Sequence, residues 1–324
     1  MPAVLFLGAG ASIQFGYPAT KEFMSRLEKE KLGGVYDELV QYIRDISIGK
    51  IVDIEKVLIE IDDYLEFYNG LSSKDTYKSW LLLRNGGFVN NAAVHNRAKH
   101  LKELRDRINR IVYDTYWQNS ADSSPVYEQL LGCLGSPPID IFTTNYDLCV
   151  ENALGDDSTR LSFCDGFLAD RTAIRWKETN YSNQEIRFYK LHGSVDWKYG
   201  KDGSIWRIPE HDFTKHEDQC IIYPGFKGVP QKPPFDRIHK FLEDRLLEAD
   251  RCVVIGFSFR DEYINSVFDR ALSKNKELRL LHWNPEPPSR KFPEGRLDHL
   301  ESPFVAEGMK KKLAKLQAFM FLAR

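Results

Sequence analysis

Cysteine is scarce and scattered in this 324-residue chain: Cys133, Cys149, Cys164, Cys220 and Cys252, with no C-x-x-C pair among them. That spacing argues against a structural zinc site, and an odd, dispersed set suits the reduced thiols of a cytoplasmic protein. The eight histidines show no metal-ligand spacing either, so no metal is expected. No apolar run approaches the roughly 20 residues that a membrane helix needs. A charged leader and a small-residue cleavage site are also lacking, because Met1 runs straight into what reads as core strand; a cytoplasmic location is expected. Net charge is nearly absent: 45 Lys and Arg against 47 Asp and Glu leave −2, which offers no basic field for nucleic acid. At 42% hydrophobic and 28% charged residues the chain can bury one sizeable core.

What is present begins at the N-terminus. Ala3-Val4-Leu5-Phe6-Leu7 has the character of a strand buried on both faces, and it leads into Gly8-Ala9-Gly10-Ala11-Ser12 and then a segment able to start a helix. A strand that turns on glycines into a helix gathers unpaired N–H groups and dipole charge at one point, a site for pyrophosphate. Gly8 and Gly10 would allow close approach of backbone to phosphate, and Ser12 would add a hydroxyl. The bland alternative is a glycine turn that serves helix–strand packing.

The same grammar returns downstream. Ile139 to Thr144 ends in Asn145-Tyr146-Asp147 with a helix from about Leu148. Phe188 to Leu191 delivers His192-Gly193-Ser194. Arg251 to Ile255 ends in Gly256-Phe257-Ser258, and Leu278 to Trp283, the last clear strand, ends at Asn284-Pro285. A weaker strand is expected near Leu161 to Phe163, and another at Ile221 to Tyr223. Residues 170–187 read as a surface excursion, and 309–321 as an amphipathic helix with solvated lysines. Apolar strand, polar or glycine cluster, helix: repeated, this predicts a Rossmann-like, doubly wound parallel α/β sheet with its ligand at the carboxyl ends of the strands. Between the first two strands the character is helical. Ile51, Ile54, Val57, Leu58, Ile61 and Leu65, and later Leu101, Leu104, Ile108, Ile111 and Val112, recur at helical steps, with a connection over 69–91. The expected organisation is one domain over 1–324 with a helical insertion at 20–120.

These strand ends together resemble the sirtuin-like superfamily, in particular its bacterial branch. The matching pieces are Gly8-Ala9-Gly10-Ala11-Ser12, Gly16-Tyr17-Pro18, Thr143-Thr144-Asn145-Tyr146-Asp147, Leu191-His192-Gly193-Ser194, Gly256-Phe257-Ser258 and Asn284, in the family's order; Asp53-Ile54-Glu55 and Phe259-Arg260-Asp261-Glu262 resemble the bacterial branch. The chain departs from sirtuin deacylases at Ala19-Thr20-Lys21, where they have Asp-Phe-Arg, and in lacking their zinc cysteines. The resemblance therefore implies NAD+ as substrate, not as a retained cofactor, and hydrolysis to nicotinamide and ADP-ribose in anti-phage defence under the control of a partner. It implies His192 and Asn145 as catalytic residues. Dinucleotide contacts are implied at Gly8, Ala9, Gly10, Ser12, Tyr17, Asn145, Asp147, Gly256, Ser258, Asp261 and Asn284.

The residue types suit that chemistry. Cleaving the nicotinamide–ribose bond builds an oxocarbenium-like sugar, and the pyridinium leaving group needs no strong acid. A neutral imidazole can take the proton of water or of a ribose hydroxyl, and an asparagine side chain can orient either. Other uses stand beside these: His192 as a satisfied turn histidine, Asn145, Asp147 and Asp261 as turn or helix-cap residues, Asn284 as a turn residue before proline. A deacylase or ADP-ribosyl transferase using the same bond, and a non-enzymatic nucleotide sensor, are the competing functions. Homo-oligomerisation is expected, since the helical insertion can supply an interface.

Overall fold

The structure is a computed structural model that describes residues 3–46, 54–72, 91–117, 123–154, 162–169, 174–208, 219–222 and 233–321. Ile51, Asp53, Leu161, most of the 69–91 connection and the Tyr223 end of one expected strand lie outside the described residues.

Twelve strands are described: β1 (Ala3–Leu7), β2 (Ile139–Thr143), β3 (Phe163–Cys164), β4 (Phe167–Ala169), β5 (Ile174–Trp176), β6 (Ile186–Lys190), β7 (Gly193–Tyr199), β8 (Ile205–Arg207), β9 (Gln219–Ile221), β10 (Arg251–Ile255), β11 (Arg279–Asn284) and β12 (Leu297–Glu301). Seven form one parallel sheet in the order β12-β11-β10-β1-β2-β6-β3. The helices are α1 (Thr20–Lys29), α2 (Gly34–Ile46), α3 (Ile54–Ser72), α4 (Asn91–Tyr116), α5 (Ser124–Leu131), α6 (Cys149–Leu154), α7 (Phe235–Glu248), α8 (Glu262–Lys274) and α9 (Met309–Phe321).

Alternate residues of the central strands serve two cores. Leu5, Leu7, Ile141 and Val253 pack with α5, α6 and α9 on one face; Val4, Phe6, Phe142 and Val254 pack with α7 and α8 on the other. This is why β1 and the Cys252–Ile255 part of β10 read as unbroken apolar runs, and why β2 is interrupted in its interior only by Asp140, which is buried and paired with Arg187 and Arg245: a strand covered on both sides has no polar face to alternate. The fold is α/β, with a Rossmann-like doubly wound sheet. The chain leaves β1 toward β2 and later returns to the other side of β1 at β10, so the topological switch lies between β1 and β10.

Three readings need correction. The described part of 170–187 is no surface excursion: it holds β5, the buried Tyr181 and the start of β6. Five strands between 167 and 221 form a second, antiparallel sheet, β4-β5-β8-β7-β9, whose Trp197, Ile205 and Cys220 share the α7 and α8 core. The strand at Ile221 belongs to it. Polar residues alternate with aromatic ones there, because the strands are short and packed on one side only. Second, the parallel sheet does not end at β11: β12, with mixed burial, forms its edge. Third, the segment after Ser12 is not an α-helix. Two three-residue 3-10 turns, Ala9–Ala11 and Ile13–Phe15, stop at Gly16. A dipole argument built on an α-helix at this point loses its support.

The chain divides into two compact units, Met1–Ala19 with Thr115–Arg324, and Thr20–Asp114. The second unit is helical. Ile54, Val57, Leu58 and Ile61 of α3 and Leu101, Leu104, Ile108 and Val112 of α4 are buried, as their spacing predicts. Leu65 and Ile111 are half-buried. Within it Arg105 pairs with both oxygens of Asp62, at 2.5 and 3.2 Å.

Candidate functional site

Four neighbouring strands of the parallel sheet, β10, β1, β2 and β6, end at the same edge. Their carboxyl ends deliver Gly256, Gly8, Asn145 and His192, although these are up to 248 positions apart in the chain.

At the switch point the turns after β1 and β10 interlock. Gly8 donates its N–H to Ile255 O and Gly10 to Gly256 O, both at 2.9 Å. Gly256 stands at φ +66°, and a Cβ there would come within 2.3 Å of Ala11 N; a Cβ on Gly8 would meet Gly256 O at 2.6 Å. These glycines are required by the contact between two backbones. Ala11 and Ser12 donate back to Gly8 O and Ala9 O, so the N–H groups of residues 8, 10, 11 and 12 are all engaged within the protein. The array of unpaired donors expected from the sequence is reduced accordingly. Ala9 and Gly10 remain half-exposed at the rim.

Asn145 is fastened to this turn. Its Nδ2 donates to Gly8 O and to Ser12 Oγ, each at 3.0 Å, and its backbone N–H is capped by Thr143 Oγ1. With both amide protons donated, the Asn145 carbonyl oxygen is what remains for a ligand. Ser12 in turn hydrogen-bonds the Asp147 carboxylate, whose Oδ1 also accepts from Cys149 N at 3.0 Å. Asp147 is buried. Burial pushes its carboxyl up, against the pull of the Lys190 charge and these hydrogen bonds. Asp147 therefore caps the turn into α6 and braces Ser12. Behind it the buried Lys190 ammonium donates to Asp147 O and to Glu151 Oε1 at 2.8 Å. Burial pushes Glu151 up to about 7, against the pull of Lys190.

His192 sits in the tight turn where the chain passes from β6 of one sheet to β7 of the other, and is buried. Its Nε2 lies 3.3 Å from Asp261 Oδ2. Its Nδ1 is buried with no hydrogen-bond partner among the described residues. Asp261 is the N-cap of α8, accepting from Ile264 N at 2.9 Å. Burial works against its charge, but the interaction with His192 and the hydrogen bond from Ile264 N outweigh it, and its carboxyl is held below the ordinary range. His239 of α7 stacks on His192 with ring centroids 6.3 Å apart, and its Nε2 lies 2.9 Å from Leu191 O. Burial and the neighbouring His192 push His239 down to about 4.

The remaining expected residues divide. Ser258 is half-buried in the β10 loop, where its carbonyl accepts from Ser289 N. Tyr17 is buried and stacks on Tyr116 at 6.3 Å, which meets Tyr146 edge-on. Asn284 ends β11 at the same edge, but its amide closes a local turn onto Glu286 O; that is its turn reading. Among the described residues no group of three or more His, Cys, Asp or Glu could hold a metal ion, and no helix is long and apolar enough to cross a membrane.

Residues 140–299 match the family model described as the SIR2-like domain. The chain carries a SIR2-like domain over this stretch. The matched stretch holds Asn145, Asp147, His192, Gly256, Asp261 and Asn284; the turn from Gly8 to Ser12 lies before it. Among solved structures, a Sir2 homologue in complex with NAD is similar over 98% of this chain and 90% of its own, with 12% identity and a TM-score of 0.49. A Sir2 homologue variant in complex with 2′-O-acetyl ADP-ribose covers 99% of this chain and 94% of its own, at 14% identity and a TM-score of 0.49. No curated protein sequence matches the chain.

Sequence reasoning missed Lys190, Glu151 and His239 as parts of the site, and gave Thr143 only as part of a matching piece, with no role. Lys190 ends a strand that leads into a matched motif, a positional signal. His239 carries none, since only tertiary packing brings α7 against Leu191.

Proposed function

We propose that this protein is an NAD+ hydrolase that cleaves the nicotinamide–ribose bond, with His192 and Asn145 as its catalytic residues. In this reading NAD+ is the substrate and no separate cofactor takes part. The observation that carries it is the convergence of Asn145, the Gly8–Ser12 turn and a buried imidazole, His192, on one edge of four adjacent parallel strands. The SIR2-like match supports an NAD-using enzyme of the sirtuin-like class.

In the proposed reaction the C1′–N bond breaks and its electron pair goes to the pyridinium nitrogen, releasing neutral nicotinamide. The oxygen of water bonds to C1′ of the resulting cationic ribose, and its proton passes to His192 and then to solvent. The products are nicotinamide, ADP-ribose and one proton. The Asn145 carbonyl orients the water or the nicotinamide ribose, while Ala9, Gly10 and Ser12, with Gly256 and Ser258 across the switch point, form the wall for the rest of the dinucleotide. Hydrolysis is favoured over deacylation by the absence of paired zinc cysteines and of an Asp-Phe-Arg element after Pro18. Resemblance to the bacterial branch supports a role as a regulated effector of anti-phage defence.

Purified protein incubated with NAD+, with nicotinamide and ADP-ribose followed by chromatography, tests the reading. Equal amounts of both products are expected. His192→Ala should lower the rate about a hundred- to ten-thousandfold, with NAD+ affinity kept within a few-fold. Normal turnover by that variant removes His192 from the mechanism, and absence of cleavage in all assembly states removes the hydrolase.

A further inference from the structure

Resting on the reading of His192 as the base, we propose that Asp261 is its positioning residue: the carboxylate holds the imidazole proton on Nε2 and leaves Nδ1 as the atom that accepts the proton. Sequence resemblance puts Asp261 among the dinucleotide contacts, whereas both of its oxygens have protein partners. Oδ1 accepts from Ile264 N at 2.9 Å and Oδ2 faces His192 Nε2 at 3.3 Å. An ionised carboxylate only accepts, so the nitrogen opposite it carries the hydrogen, and a neutral imidazole then has its lone pair on the other nitrogen. That other nitrogen, Nδ1, is buried and has no partner among the described residues, so no protein group competes for its lone pair there.

The carboxylate is itself held in place. Capping α8 uses one oxygen and thereby aims the second. The loop before it is stiff: Phe259 stands at φ +57°, and its carbonyl accepts from Asn265 Nδ2 at 2.9 Å and from Ser289 Oγ at 2.6 Å. On the other side His239 Nε2 donates to Leu191 O and fixes the backbone next to His192. His239 is kept neutral by its burial, so the stacked ring adds no competing charge. Asp261 thus sets the proton and His239 the backbone.

A plain helix cap would leave the imidazole tautomer unaffected, which makes the role testable. Asp261→Asn keeps an oxygen for Ile264 N but turns an amide donor toward Nε2, which favours the tautomer with hydrogen on Nδ1. Asp261→Ser also caps a helix but is too short to reach His192. The full-length protein labelled with 15N-histidine, with the His192 signals assigned by difference from His192→Ala, gives the tautomer by NMR. The hydrogen is expected on Nε2 in the unaltered protein, on Nδ1 in Asp261→Asn, and on neither by preference in Asp261→Ser. The kcat for NAD+ should fall about a thousand- to ten-thousandfold in Asp261→Asn with KM within a few-fold. Hydrogen on Nδ1 in the unaltered protein, or a tautomer unchanged in both variants, overturns the proposal; Asp261→Ser decides if Asp261→Asn does not fold. If the unaltered protein cleaves no NAD+, the hydrolase reading falls, while the tautomer shift still decides what Asp261 does to His192.

Discussion

His282 illustrates how one buried side chain holds a loop of the site. It lies in β11, fully buried, with Nε2 2.9 Å from Phe257 O and its ring stacked on His299 at 5.1 Å. Donation to that carbonyl fixes the backbone just after Gly256. Burial pushes the imidazole down to about 4 from an ordinary 6.5. Between those values the unfolded chain binds a proton that the folded protein refuses, so this histidine makes stability fall as pH drops through the window. From pH 7 to pH 5 the loss amounts to about 2 kcal/mol. His282→Gln, which keeps a donor and cannot titrate, should show a correspondingly shallower decline. Taking the difference between the two proteins in urea unfolding at each pH cancels other titrating groups, including Glu151, whose carboxyl is pushed up to about 7 by burial. Equal slopes would show that His282 is protonated inside the fold.

Among elements, the interlocked turns after β1 and β10 make the strongest demand on sequence. Two hydrogen bonds of 2.9 Å join them, and neither turn has room for a side chain at its closest point. Gly256→Ala puts a Cβ against Ala11 N in a left-handed backbone. A loss of about 3 kcal/mol in unfolding free energy is expected, measured by denaturant titration. Because the same contact sets the distance between the Gly8 turn and the β10 loop, NAD+ affinity should weaken even where the variant stays folded. A change below about 0.5 kcal/mol would mean that the two turns separate freely.

For the whole molecule, the proposed activity raises the matter of control, since a constantly active NAD+ hydrolase would harm the cell that makes it. The Thr20–Asp114 unit has its own buried core, which the chemistry of the site does not require. We expect the protein to form a homo-oligomer and its NADase activity to depend on assembly or on a protein partner. Light scattering paired with activity across a range of protein concentration tests this: specific activity should rise with the assembled fraction. A monomer with full, concentration-independent activity and no response to partners would refute it.

Mostly apolar segments bounded by glycine, asparagine or histidine were enough to place β1, β2, β6 and β10 and to order the motifs at their ends; the hydrophobic signal is continuous in β1, where both faces are buried, and is broken by Asp140 in β2 and by Arg187 and Lys190 in β6. The second sheet was not legible, since its strands are short and mix polar with aromatic residues, and pairing between 167 and 221 leaves no periodic trace. The same limit applies within the site. Gly8 could be recognised as a turn glycine from sequence, but what fills the space at its α-carbon comes from Gly256, 248 positions away. Asp261 could be recognised as a helix cap; that its second oxygen faces His192 depends on β10 and β6 ending at one edge of the sheet. Local sequence determined which residues turn, cap and propagate, because those preferences act over a few neighbouring bonds. Which side chains meet was decided by tertiary structure, because strand order and the packing of α7 and α8 set distances that no local pattern encodes.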